Sequence, residues 1–389
     1  MQGDSLLFAT FLIFAGAALF ATGAMFARQA LPLAYILLGV VVGPWGLGLV
    51  AEPETIADIA QIGIIFLLFL LGLNLKPQEL VQMFGKASIV TLVSSSLSAL
   101  LGAAVALLFG FTAGEAMVVG AAMMFSSTII GLKLLPTTML HHRHIGEIII
   151  SILLLQDLIA IVILLLVQGA TDTGLPIAEL LRVAVALPGL VLVAWLVERF
   201  VLVPLITRFD TIHEYVFLLA IGWCLGMAEL AGVLGLSHEI GAFIAGVALA
   251  TSPIALFIAD SLRPLRDFFL VMFFFSLGAG FELPMLGEVL LPAALLALLS
   301  VLVKPHLFRP LLVRTGESEK RSREVGVRLA QISEFSLLIA VAALDSGIIS
   351  ARASYLIQLA TLLSFTLSSL YVVRSYPTPI AVTDALRRD

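Results

Sequence analysis

Asp157 stands in the middle of the apolar run 151–167, with Gln156 beside it and no other charge in the run. At the depth of a bilayer core a carboxylate costs about 3 kcal/mol or more, so a functional ion or proton site is the default reading. Lys304 lies inside another apolar run, 298–306, and needs a partner as much as Asp157 does. An Asp–Lys pair is one solution, in which a cation at Asp157 competes with the ammonium as well as with a proton. The alternative is that Lys304 snorkels to the cytoplasmic interface. Two polar clusters, Phe125-Ser-Ser-Thr-Ile-Ile-Gly131 and Ala330-Gln-Ile-Ser-Glu-Phe-Ser336, interrupt further runs. They read as broken helices whose unwound backbone exposes carbonyls and half-helix ends to an ion. The alternative is ordinary back-bonding of Ser and Thr to helix carbonyls. Arg328 and Glu334 are six positions apart, off a common helical face, and are not expected to pair directly. Glu334 is expected to cap or neutralise the crossing of the two breaks.

These residues need a membrane fold to hold them. The chain is 61% hydrophobic and 12% charged, with a mean hydropathy of +1.14. That is the composition of a polytopic membrane protein, not of a soluble enzyme with one anchor. At roughly 20 residues per span the apolar runs make about 13 transmembrane helices, leaving no segment for a separate soluble domain. The spans are placed near 5–26, 31–50, 56–75, 86–110, 114–136, 145–168, 178–206, 213–233, 236–252, 262–283, 287–313, 323–346 and 351–374, within about three residues. The first run has no preceding Lys or Arg, so it reads as a retained span rather than a cleaved leader. Cys224, the only cysteine, excludes an intrachain disulfide and reads as a small core residue.

Lys and Arg gather after odd-numbered spans and in the tail, among them Arg28, Lys76, Lys86, Arg143, Arg208, Arg263, Arg266, Lys320 and Arg388, whereas Arg352 is nearly alone on the other side. The positive-inside rule then puts the N-terminus outside and the C-terminus in the cytoplasm. The chain is also internally repeated: Tyr35-Ile-Leu-Leu-Gly-Val40 aligns with Ala242-Phe-Ile-Ala-Gly-Val247 at an offset of 207, and Gly72-Leu-Asn-Leu75 aligns with Gly280-Phe-Glu-Leu283 after a slip of one. The offset carries span 2 onto span 9 and span 3 onto span 10, an odd shift, so the halves are inverted. Inverted repeats about a midplane site are a transporter signature. The expected organisation is one transmembrane unit over 1–389, with halves of approximately 1–206 and 207–375 and a cytoplasmic tail 376–389.

Leu31-Pro-Leu-Ala-Tyr-Ile-Leu-Leu-Gly-Val-Val-Val-Gly-Pro-Trp-Gly-Leu-Gly-Leu49, Phe66 to Leu75, Phe125 to Thr128, Leu155-Gln-Asp157, Gly241 to Gly246, Lys304 and Gln331-Ile-Ser-Glu-Phe335 resemble, in order and spacing, the cation:proton antiporter-2 family. Within it the chain is most similar to the membrane domain of Kef-type potassium/proton antiporters. The resemblance implies a dimer-forming antiporter fold with spans 5 and 12 broken and crossing. It implies that Asp157 binds the ion and couples the proton, with Gln156, Ser126, Ser127 and Thr128 around it and Lys304, Glu334 and Arg328 as supporting charges. Gln-Asp rather than Asp-Asp points to electroneutral exchange of potassium and protons, because one carboxylate holds one monovalent cation or one proton. Gln156 adds a neutral carbonyl ligand. Two departures are Asn74, where the family carries an acid, and Arg263 in 258–266, read as the loop before span 10, where Kef-type proteins are acidic, which puts regulation through that loop in doubt. The nucleotide-binding regulatory domain of Kef-type proteins has no counterpart in the sequence, which leaves a separate or truncated cytoplasmic domain open.

The basic loop His141, His142, Arg143 and His144 reads as a solvated, lipid-facing segment rather than a pH sensor. Trp45, Trp223 and Tyr371 read as interface anchors near span ends. The expected protein is thus an all-α antiporter in a prokaryotic cell membrane whose partners are potassium or sodium, protons, lipid and a second copy of itself. Neither a cofactor nor nucleic acid is expected. Sodium/proton exchange on the same fold is the alternative substrate pair. A cation channel does not need the inverted repeat, and a membrane sensor leaves Asp157, Lys304 and Glu334 as unexplained costs.

Overall fold

The computed structural model describes residues 6–27, 29, 31–50, 54–74, 86–133, 144–169, 177–209, 212–236, 238–252 and 255–378. The apolar runs close their backbone hydrogen bonds within themselves, as they must where no water can do so, and each becomes helix. In order these are α1 (Leu6–Phe26), α2 (Leu31–Val42), α3 (Glu54–Asn74), α4 (Lys86–Leu108), α5 (Ala113–Met123), α6 (Thr128–Lys133), α7 (His144–Gly169) and α8 (Ile177–Val197). There follow α9 (Val203–Phe209), α10 (His213–Val233), α11 (His238–Leu249), α12 (Ala255–Ala279), α13 (Leu286–Arg314), α14 (Glu319–Arg328), α15 (Glu334–Asp345) and α16 (Ala351–Ser375). Among the described residues, 7 helices are long and apolar enough to cross a membrane on their own. The protein is a multi-pass membrane protein.

Three local expectations are corrected. The second span, expected to run to residue 50, is helical only to Val42. Gly43, Pro44, Gly46 and Gly48 break it, and Gly48 takes a left-handed φ of 63° that favours glycine. The segment 258–266 is not a loop before span 10 but part of α12, where Asp260 and Arg263 pair one turn apart at 2.7 Å. Trp223 is not at a span end. It lies inside α10 and donates to the Ala245 carbonyl of α11 at 3.1 Å. Trp45 and Tyr371 are exposed, as anchors would be.

The chain forms two compact units, and each draws on both halves of the sequence. The first comprises Met1–Ala17, Tyr35–Gln82 and Thr173–Gly280. Its helices meet backbone to backbone at glycines. Gly39 of α2 lies against the Phe275 carbonyl of α12, and Gly278 of α12 against the Ile36 carbonyl of α2. In the same way Gly72 of α3 lies against the Phe243 carbonyl of α11, and Gly246 of α11 against the Phe69 carbonyl of α3. The α2–α12 and α3–α11 contacts are thus alike, each a pair of glycines set against the partner helix's carbonyls. Cys224 is buried in this unit.

The second unit comprises Ala18–Ala34, Met83–Asp172 and Phe281–Asp389. Val90 of α4, Ile149, Ile152 and Leu153 of α7, Phe308 and Leu312 of α13, and Val325 and Leu329 form one apolar cluster. A second joins Ile130, Val327, Phe365, Val372 and Val373. These clusters fix the helices that carry the polar residues of the next section.

Candidate ion site

Both polar clusters are breaks in helices. The span begun by α5 stops at Met123 and resumes as α6 at Thr128, and the span begun by α14 stops at Arg328 and resumes as α15 at Glu334. A break in an apolar setting frees carbonyl and N–H groups whose burial without partners costs several kcal/mol each. Here side chains of the same unit take them up. Ser126 Oγ donates to the Leu329 carbonyl at 2.7 Å, Ser336 Oγ to the Ala122 carbonyl, and Gln331 Nε2 to the Ser127 carbonyl at 3.2 Å. The two breaks are thus laced to each other. Ser300 of α13 donates to the Ala330 carbonyl at 2.6 Å, and Ser95 of α4 to the Met124 carbonyl at 3.1 Å. Ser127 Oγ caps α6 by accepting from Ile130 N–H at 3.1 Å, and Ser333 Oγ accepts from Phe335 N–H at 3.1 Å.

Lys304 and Asp157 are both buried in this unit but do not pair. The Lys304 ammonium donates to the Phe125 carbonyl at 2.7 Å and the Gln331 carbonyl at 3.2 Å, one from each break. The expected Asp–Lys pair is therefore corrected. So is snorkelling, because Lys304 is 3% exposed. The physical reason is that freed carbonyls present a ring of negative dipoles that an ammonium with three donors fits well. Gln156 likewise faces the first break: its Oε1 accepts from Ser126 N–H at 2.9 Å and its Nε2 donates to the Met124 carbonyl at 3.2 Å. The amide expected as an ion ligand is occupied as a clamp.

Asp157 has a different environment. It is 0% exposed, and among the described residues the donor to its carboxylate is Thr128 Oγ1, at 3.3 and 3.4 Å from the two oxygens. Those are long contacts for a hydroxyl and a carboxylate. Glu334 is buried at the first turn of α15 in the same unit. Arg328 closes α14 and is compensated locally. It binds Glu324 one turn back at 2.9 Å, donates to the Pro377 carbonyl at 2.9 Å, and lies 5.7 Å from the centre of the Tyr376 ring. Burial holds the Tyr376 phenol above its ordinary range, so it meets the guanidinium as a neutral ring.

A profile of the family described as sodium/hydrogen exchanger, transmembrane, matches residues 10–374. The chain belongs to the sodium/hydrogen exchanger family. This family is one of transporters rather than enzymes. One family relative, the iron transporter MagA of Paramagnetospirillum magneticum, is 30% identical over 89% of this chain and 80% of its own. The putative K(+) efflux antiporter KefB of Alkalimonas amylolytica is 33% identical over 86% of this chain and 51% of its own. The glutathione-regulated potassium-efflux protein KefC of Salmonella schwarzengrund is 30% identical over 88% and 56%. The chain thus spans about half the length of these Kef-type relatives. The sodium proton antiporter MjNhaP1 from Methanocaldococcus jannaschii has the same fold, with a TM-score of 0.72 at 18% identity over 94% of this chain and 95% of that one.

Of the residues picked from the exchanger sequence, Ser126, Ser127, Thr128, Gln156, Asp157, Lys304, Glu334 and Arg328 all lie in the second unit. Missed were Ser95 and Ser300, together with α16, whose Ser364 accepts from Ile332 N–H at 3.0 Å and whose Ser368 donates to Oε1 of Gln331, a residue placed in the second break without a role of its own, at 3.0 Å. The signal was present: Ser354, Gln358, Thr361, Ser364 and Ser368 recur at helical spacing in one apolar run and are all buried. His141, His142, Arg143, the side chains of His144 and Asn74, and the tail beyond residue 378 lie outside the described residues.

Proposed function

We propose that the protein exchanges potassium for protons one for one, by alternating access, with Asp157 as the group that holds either ion. The observation that carries this is the unequal state of the buried polar groups. Carbonyls freed at the breaks, Lys304 and Gln156 are engaged with one another, whereas among the described residues the Asp157 carboxylate has only long contacts from Thr128. A carboxylate with spare acceptor capacity in a dry setting is stabilised by a proton or by a dehydrated cation, and the two exclude each other. The donors near it are hard oxygens, the set an alkali cation prefers and a thiophilic metal does not.

The charge count supports electroneutrality. The Asp157 carboxylate carries one negative charge for one monovalent ion to cancel. Loaded with K+ or with H+, the site is neutral, so neither half of the cycle moves net charge across the membrane. Potassium rather than sodium is the choice that the potassium-efflux relatives KefC and KefB support. The Gln-Asp pair agrees with that choice, and the remaining parts of the reading are an N-terminus outside, a C-terminus in the cytoplasm and a homodimer.

Reconstituted vesicles with a luminal pH dye test this. Added K+ is expected to drive proton movement that is insensitive to an imposed membrane potential, weaker with Na+, and abolished by Asp157→Asn. A voltage-driven current that survives Asp157→Asn would overturn it in favour of a channel.

A further inference from the structure

Gln331 touches more of the crossing than any ligand candidate does. Its Nε2 donates to the Ser127 carbonyl at 3.2 Å, its Oε1 accepts from Ser368 Oγ of α16 at 3.0 Å, and its own carbonyl accepts from Lys304 of α13 at 3.2 Å. The side chain is 0% exposed. The orientation of its amide is dictated by its neighbours: a carbonyl only accepts, so the NH2 must face Ser127, and the amide oxygen is left for a hydroxyl that can donate.

The peptide that Gln331 holds is the one leading into Thr128. The Ser127 carbonyl also takes Gly131 N–H at 3.0 Å, and the Ser127 hydroxyl is committed to Ile130 N–H. Gln331 therefore supplies the lateral tie on a peptide otherwise fixed only along the helix axis. Thr128 Oγ1 is the donor to Asp157, at a distance where a few tenths of an ångström decide whether a hydrogen bond exists.

We propose that Gln331 is a positioning residue for cation binding: with Ser368 orienting its amide, it holds the Ser127–Thr128 peptide so that the Thr128 hydroxyl faces the Asp157 carboxylate. The proposal rests on the assignment of the cation to Asp157. The Thr128 hydroxyl contributes to the ionised carboxylate and offers a lone pair to a bound cation, so misplacing it weakens cation binding. It leaves the movement that carries the loaded site largely alone.

The test uses the full chain, purified and reconstituted, with K+ as probe and two readouts: the KM and kcat of exchange, and the rise in melting temperature on adding K+. Gln331→Leu is expected to raise the KM for K+ about five-fold, the worth of one neutral hydrogen bond, with kcat within about two-fold of wild type. Its K+-dependent rise in melting temperature shrinks accordingly. Ser368→Ala, which removes only the orienting partner, is expected to move the same way by about two-fold, and Ser368→Thr, which keeps the hydroxyl, restores the wild-type KM. Unchanged KM and K+ stabilisation in Gln331→Leu overturn the proposal, as does a parallel fall of kcat with a lower melting temperature without K+, the mark of a merely structural role. Should Gln331→Leu not fold, an unchanged KM in Ser368→Ala overturns it. Asp157→Asn is run alongside. If it still responds to K+, the assignment of the cation itself is wrong, whereas loss in Asp157→Asn with retention in Gln331→Leu sinks only the positioning role.

Discussion

At the scale of single residues, two buried charges of opposite sign have opposite jobs. Lys304 closes two carbonyls, one from each break, whereas the Asp157 carboxylate has long contacts from Thr128. Removing them should therefore have opposite effects on stability. Lys304→Met leaves the Phe125 and Gln331 carbonyls without their donor, at about 1–3 kcal/mol each, and is expected to lower the melting temperature of the detergent-solubilised protein clearly. Asp157→Asn removes a costly buried charge and is expected to leave that temperature unchanged or raise it. If the two residues were partners, both substitutions would destabilise, because each would strand the other's charge. The same comparison explains why sequence singled out Asp157 and mispaired Lys304. A lone acid in an apolar run is visible in the sequence itself, but the partners of Lys304 are main-chain carbonyls, one of them 179 residues away. Every residue has a carbonyl, and nothing in its side chain says which ones the fold will free.

At the scale of helices, glycine decides which surfaces can touch. A Cβ at Gly246 would run into the Phe69 carbonyl and one at Gly278 into the Ile36 carbonyl, whereas one at Gly222 of α10 would meet nothing within 4 Å. Alanine should consequently change sign with position. Gly222→Ala is expected to raise the melting temperature, since glycine in a helix interior costs about 1 kcal/mol relative to alanine. Gly246→Ala and Gly278→Ala are expected to lower it, by forcing two backbones apart. Equal effects at all three positions would contradict the packing. The broken helices were legible because Ser126, Ser127 and Thr128, and later Gln331, Ser333 and Glu334, cluster where apolar residues should continue. The end of α2 at Val42 was less so: hydropathy runs on through Val50, and only the conformations of Gly43 to Gly48 stop the helix. The polar face of α16 escaped notice because hydroxyls satisfied by their own helix, such as Thr361 on the Ile357 carbonyl at 2.8 Å, are routine in membrane spans.

At the scale of the whole molecule, a single carboxylate shared by two substrates imposes a signature on transport. Where proton and cation compete for Asp157, lowering the pH by one unit on the side where the cation enters should raise its apparent KM by up to about tenfold, with the maximal rate much less affected. Exchange measured in vesicles over a pH series checks this, and a KM independent of pH throughout would mean that the two ions use different groups. The lacing of the breaks bears on how such a cycle can run. Ser126, Ser336, Gln331 and Lys304 tie residues near 122–127 to residues near 329–336. To slide one break past the other would sever these ties together and strand an ammonium in hydrocarbon. The crossing is therefore stiff in shear, like two plates riveted at several points, and the strain of each turnover has to be taken up in the segments that surround it.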